Sequence, residues 1–171
     1  MNRPPQVRCS KIGLNTAFYE HNKISLSEEK IIQVELVRIQ DYSFKVDFGY
    51  EGIEALITDE GKPLGKGEGP SPSMLLAVAM GNCLSSSLLF CLQKARAQIK
   101  GMKTTVNAKT TRNEKGRWRI SEVAVELDVN VDNEYLNQMQ RCLTLYEDFC
   151  IVSKSVEQGI PLRAKVNWTS S

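Results

Sequence analysis

The chain has 171 residues, of which 42% are apolar and 25% are charged, with 22 basic and 20 acidic side chains. An apolar fraction of this size fills a single core, so we expect one domain at residues 30–171, preceded by an arm at residues 1–29. The formal net charge of +2 argues against a nucleic-acid partner, whose recognition needs clustered basic residues.

The sequence predicts a cytoplasmic protein without a membrane partner. Its longest uninterrupted apolar run, at 74–80, is much shorter than the roughly 18 residues that a bilayer span requires. The first residues also lack the apolar stretch of a secretory signal.

The cysteines offer no metal site. None of them forms a Cys-x-x-Cys pair, so we expect neither a metal nor another cofactor. A disulfide framework is not expected in a reducing compartment, which leaves buried or reactive thiols. The residues concerned are Cys9, Cys83, Cys91, Cys142 and Cys150, together with the single histidine, His21.

Alternating apolar residues predict an antiparallel meander in the first part of the domain. A glycine-containing turn at 49–52 separates its second and third strands. The predicted inward positions are Ile32, Val34 and Leu36, then Phe44, Val46 and Phe48, then Ile53, Ala55 and Ile57.

A glycine-rich loop at 59–71 precedes the most apolar segment. Pro72 suits the first position of a helix, which we expect to run for about 25 residues and to be buried at the centre of the fold. Gly81 inside this helix indicates the close approach of another group. A second copy of the chain would cover the remaining apolar surface.

The rest of the chain predicts two strands, two helices and a last strand. The strands occupy 104–111 and the segment from Trp118, with a bulge where the alternation changes parity near Ser121. A helix follows Asp132 or Asn133, a short helix covers about 149–158, and 162–168 alternates as a strand. The pattern is that of an α+β fold, with helices packed on an antiparallel sheet.

Two of the cysteines, Cys83 and Cys150, lie at positions where a reactive thiol is possible. Cys83 is within the central helix, and its position alone fits either a small core residue or a reactive thiol. Cys150 opens the short helix, where backbone amides stabilise a thiolate, although Asp148 opposes this effect. The loop at 65–70 lacks a P-loop ending, and the serines at 85–87 have no histidine partner, so nucleotide binding and serine hydrolysis are not expected.

These features resemble the osmotically inducible protein and organic hydroperoxide resistance (OsmC/Ohr) family. The resemblance rests on Gly-Pro-Ser-Pro at 69–72, on Cys83 eleven residues after Pro72, and on Cys150 at the start of a later short helix. It covers residues 30–168. It implies an OsmC-like fold and an intertwined homodimer with active sites at the subunit interface.

The resemblance also implies a reaction. Cys83 would be the peroxidatic thiolate that reduces an organic hydroperoxide and becomes a sulfenic acid. Cys150 would resolve it as a disulfide, which an external dithiol reduces. We accordingly expect the pKa of Cys83 to lie below the free-thiol value of about 8.5.

The chain departs from the family pattern at three places. Ser73 occupies the position of a glutamate, and Ile151 follows the second cysteine where proline is usual. The arginine that activates the thiolate is absent from its usual region, where Lys62 or Lys66, with Glu68 as carboxylate partner, would have to serve. The alternative function is therefore a catalytically weak or inactive dimer that binds a hydrophobic ligand or senses redox state.

Overall fold

A computed structural model describes residues 29–170 of the chain. The residues from Val34 onward belong to one unit, whereas nearly all of the predicted arm, including Cys9 and His21, lies outside the described part. The strands are β1 (Glu35–Gln40), β2 (Ser43–Asp47), β3 (Leu56–Thr58), β4 (Ile99–Arg112) and β5 (Trp118–Val131). The helices are α1 (Pro72–Lys94), α2 (Leu136–Leu143) and α3 (Ile151–Gln158).

The predicted meander is confirmed, but the inward face of its third strand is not the predicted one. β2 pairs antiparallel with both β1 and β3, and Val46 lies opposite Leu56. Residues that pair across two antiparallel strands point to the same face of the sheet. Leu56 and Thr58 therefore lie on the face of buried Val46, and Ile57 lies on the opposite, exposed face.

The predictions at the two ends of the domain are also corrected. β1 begins at Glu35, after Ile32 and Val34. Residues 160–170 form no strand, although 162–168 alternate, and Leu162 and Trp168 are 91% and 82% exposed. A strand needs a neighbour for its backbone hydrogen bonds, and no described strand pairs with this segment.

The long helix begins and ends as predicted. Pro72 is its first residue, the Ser71 Oγ accepts a hydrogen bond from the Met74 amide at 3.4 Å, and Lys94 lies in its last turn. By length and composition alone, this helix could cross a membrane. The estimate from uninterrupted apolar runs missed this, because the interspersed Gly and Ser residues lower the mean hydropathy of the helix only slightly. In this fold α1 packs on β4 and on the C-terminal helices, as a core helix.

Gly81 marks the place where α1 comes closest to the second sheet. A Cβ at this position would lie 2.5 Å from Cγ2 of Val106 on β4, which explains a glycine inside a helix. One turn further on, the Ser85 Oγ donates to the Gly81 carbonyl at 2.7 Å and lies 2.6 Å from Thr104 Oγ1. Ser85 therefore connects the helix to the sheet.

The second sheet is a long hairpin of β4 and β5, and its predicted bulge is confirmed. The Asn113 side chain accepts hydrogen bonds from two backbone amides in the turn. Further along, Lys109 pairs with Glu122 and Thr110 with Ile120, which leaves Ser121 as the extra residue of a bulge.

The main core lies where α1 meets the C-terminal helices and β4–β5. Leu88 and Leu92 are each 1% exposed and contact Ala97 and Cys142. Cys91 and Cys142 are joined by a disulfide, which corrects the expectation that the cysteines are unpaired thiols, either buried or reactive. The packing of α1 on α2 places their Cα atoms 5.6 Å apart, well within bonding geometry.

Candidate redox site

Two free cysteines meet where α1 crosses the start of α3. Cys83 lies about three turns into α1, and Cys150 is the N-terminal capping residue of α3. The two thiols interact, since each of them shifts the pKa of the other. The structure thus brings together the two residues that the sequence singled out, 67 positions apart in the chain.

The amides at the start of α3 act on both thiols. The Ser153 amide donates to Cys150 Sγ at 3.3 Å, and the backbones of Ile151 and Val152 act to lower the pKa of Cys83. Cys150 is fully buried, whereas Cys83 is half-buried. Helix amides stabilise negative sulfur, so the site favours one thiolate.

The two thiols have opposite pKa shifts. Burial raises the pKa of Cys83, and the hydrogen bond and charge of Cys150 raise it further, with partial opposition from the Val152 and Ile151 amides. Burial also acts to raise the pKa of Cys150, but hydrogen bonds from Cys83, Ser153 and Val152 outweigh it and lower the pKa. The expectation of a low Cys83 pKa is therefore wrong, because burial and Cys150 raise it, so that the first negative charge of the pair forms more readily on Cys150.

The predicted cationic partners lie in an exposed loop. The side chains of Lys62, Lys66 and Glu68 are all exposed. The largest influences on the Cys83 pKa are burial and groups of residues 150–152, and no lysine is among them. The proposed role of these three residues stays a prediction.

The same loop contains an acid that the sequence reasoning missed. The Asp59 side chain, 3% exposed, accepts hydrogen bonds from the backbone amides of Lys66 at 2.9 Å and Glu68 at 3.2 Å. Burial acts to raise its pKa, but these amides and those of neighbouring residues lower it overall. The signal in the sequence was an aspartate directly before a glycine-rich run, whose amides are free to turn inward.

No group of three or more His, Cys, Asp or Glu within residues 29–170 could hold a metal ion. The groups that the described site offers for chemistry are its two sulfurs and the amides around them.

Comparison with known proteins places this geometry in a family. A model of OsmC-like proteins matches residues 65–165, whereas no curated protein sequence matches significantly. An OsmC-like protein of unknown function from Vibrio cholerae superposes with a TM-score of 0.64 at 15% identity, covering 75% of this chain and 95% of that one.

Two further solved structures have the same fold. An OsmC-like protein from Mycoplasma pneumoniae gives a TM-score of 0.64 at 14% identity, covering 77% of this chain and 90% of that one. An organic hydroperoxide resistance protein from Legionella pneumophila gives 0.57 at 15% identity, covering 74% and 89%. With the family model matching more than half of its length, the chain belongs to the OsmC-like protein family.

Proposed function

We propose that this protein is a cytoplasmic, cysteine-based thiol peroxidase that reduces organic hydroperoxides with Cys83 and Cys150. The observation that carries the proposal is the interaction between these two thiols at the start of α3, where the Ser153 amide donates to Cys150 Sγ. The names of structural relatives agree with it, since some are organic hydroperoxide resistance proteins.

The difference in accessibility between the two cysteines supports the proposed roles. Cys150 is fully buried, so a peroxide cannot reach its sulfur, whereas Cys83 is half-buried. In this proposal the Cys83 proton passes to Cys150, the thiol that it interacts with, as the peroxide approaches. Cys83 is then the attacking thiolate although its pKa is the higher of the two.

The reaction balances in three steps. The Cys83 sulfur attacks the distal peroxide oxygen, the O–O bond breaks, and a sulfenic acid and an alcohol form. Cys150 displaces the sulfenic hydroxyl, which leaves as water, and a disulfide forms. An external dithiol then reduces this disulfide by exchange and is itself oxidised.

Cumene hydroperoxide consumption in the presence of a dithiol tests the proposal. We expect turnover by the unmodified protein and a loss of at least about a thousand-fold in Cys83→Ser, because serine is a far weaker nucleophile. Cys9→Ser is the matched control, since it removes a thiol that belongs to neither cysteine pair. Equal rates for the unmodified protein and Cys83→Ser would leave the alternative, a dimer that binds an apolar ligand or senses redox state, which the raised Cys83 pKa favours.

We also propose that the active unit is a homodimer. One chain leaves an apolar strip of α1 uncovered, with Met74 61% and Val78 63% exposed one turn apart. A second copy would bury this strip and give the site an apolar mouth suited to alkyl hydroperoxides.

Sedimentation tests the dimer. We expect twice the 19.2 kDa chain mass for the unmodified protein and a shift toward the monomer in Val78→Glu, because a carboxylate would be buried unpaired in the interface. Lys109→Glu, on the exposed part of β4, is the control and should stay dimeric. A monomer at all concentrations in the unmodified protein would contradict the proposal.

A further inference from the structure

The Cys91–Cys142 disulfide borders a cavity that the proposed function does not use. The cavity has a volume of about 230 Å³ and lies between α1, α2 and the turn before α3. Both cysteines line it. Its position differs from that of the redox pair, since moving eight residues along α1 from Cys83 to Cys91 covers about 12 Å.

The two sulfurs of this disulfide differ in accessibility. Cys142 is fully buried in the core, whereas Cys91 is only half-buried. A thiol entering the cavity would therefore attack Cys91 and displace Cys142, because exchange requires a direct approach to the sulfur that is attacked.

The walls of the cavity select for charge and size. Among the described residues that line it, Lys94 and Arg141 are cationic and none is acidic. Phe90, Leu145 and Phe149 supply apolar surface, and the Lys94 Nζ lies 5.4 Å from the centre of the Phe90 ring. Apolar walls with two cations and no carboxylate fit a small organic anion.

We propose that the Cys91–Cys142 disulfide is a second, separate thiol–disulfide exchange site, specific for small thiols that carry a carboxylate or sulfonate. The thiolate of such a molecule attacks Cys91 Sγ, the S–S bond breaks, and Cys142 takes up a proton as a thiol. A second thiolate attacks the outer sulfur of the mixed disulfide and releases Cys91 as a thiol. Two small thiols are oxidised to their disulfide, and the protein gains two electrons and two protons.

The experiment isolates this disulfide in a full-length variant whose three other cysteines, Cys9, Cys83 and Cys150, are serine. The variant is incubated with mercaptoethanesulfonate, mercaptoethanol or cysteamine, which are anionic, neutral and cationic thiols. The reaction is quenched at intervals by alkylation, and mass spectrometry measures how much of the disulfide has been lost. Each rate is divided by that of the same thiol with a small reference disulfide, which removes differences in intrinsic reactivity.

We expect the anionic thiol to be favoured about tenfold over the neutral one, with cysteamine slowest and the preference falling as salt increases. The preference should disappear in a variant that also carries Lys94→Gln and Arg141→Gln. Lys109→Gln removes an exposed cation that does not line the cavity and should keep the preference.

Equal normalised rates for the three thiols, or a disulfide that reacts only after unfolding, would overturn the proposal. Circular dichroism of each variant separates a loss of fold from a loss of selectivity. Because Cys83 and Cys150 are absent throughout, this result is independent of whether the protein is a peroxidase.

Discussion

Cys150→Ser is expected to stop after one turnover and to accumulate Cys83 as a sulfenic acid. Without the sulfur of Cys150, the disulfide that resolves the Cys83 sulfenic acid cannot form. Cys83 and the amides of Ile151 and Val152 remain in place for the first attack. We expect the steady-state rate of hydroperoxide reduction to fall by about 100-fold or more, with a first turnover of one hydroperoxide per chain.

The measurement is the amplitude of the initial burst, together with trapping of the sulfenic acid by a carbon nucleophile and mass spectrometry of the adduct. Cys9→Ser serves again as the matched control and should show full steady-state turnover. Undiminished turnover in Cys150→Ser would show that Cys150 does not resolve the sulfenic acid, while leaving Cys83 as the attacking residue.

The pKa of Cys83 is expected to fall when Cys150 is replaced, and the pKa of Cys150 is expected to rise when Cys83 is replaced. In Cys150→Ser, Cys83 loses the neighbouring negative charge that raises its pKa, so its thiolate should appear at lower pH. In Cys83→Ala, Cys150 loses the S–H donor that lowers its pKa, so its thiolate should appear only at higher pH. The unmodified protein should lose the first proton of the pair below the ordinary cysteine pKa and the second above it.

The carbon chemical shift of each cysteine Cβ, followed by NMR against pH, reports the two sites separately. Ser86→Ala, an exposed change on α1, provides a variant that leaves the pair untouched and should reproduce the unmodified curves. If both thiols titrated independently, each near the pKa of an unperturbed cysteine, the proposed coupling of the two titrations would be contradicted, even if the sulfurs were close.

Features that local chemistry dictates could be predicted from the sequence. Pro72 and Lys94 delimit α1 because a helix start tolerates the missing amide of proline and a helix end favours a cation. The bulge at Ser121 followed from a change of parity, which a regular strand cannot accommodate.

Features that depend on a distant partner could not be predicted. The inward face of β3 is set by Val46 on β2, and the strand expected at 162–168 lacks a described neighbour. The Cys91–Cys142 disulfide joins residues 51 positions apart, and such connectivity cannot be deduced from spacing.

The site shows the same division. The position of Cys150 at a helix start predicted amides around its sulfur, and the Ser153 amide lies there. The predicted direction of the Cys83 pKa shift was wrong. The shift depends on burial and on the neighbouring Cys150, and neither can be deduced from the residues around position 83.

Ile151 occupies a position that proline usually holds in the OsmC/Ohr family, and its backbone acts to lower the pKa of Cys83. Proline has no amide hydrogen, so the isoleucine adds a neutral dipole to the peptide groups around this thiol. Dissolved ions weaken attraction between exposed charges far more than contacts inside a folded chain. The influence of this peptide group on the thiol should therefore persist at high ionic strength, where that of a solvent-facing cation would be weakened.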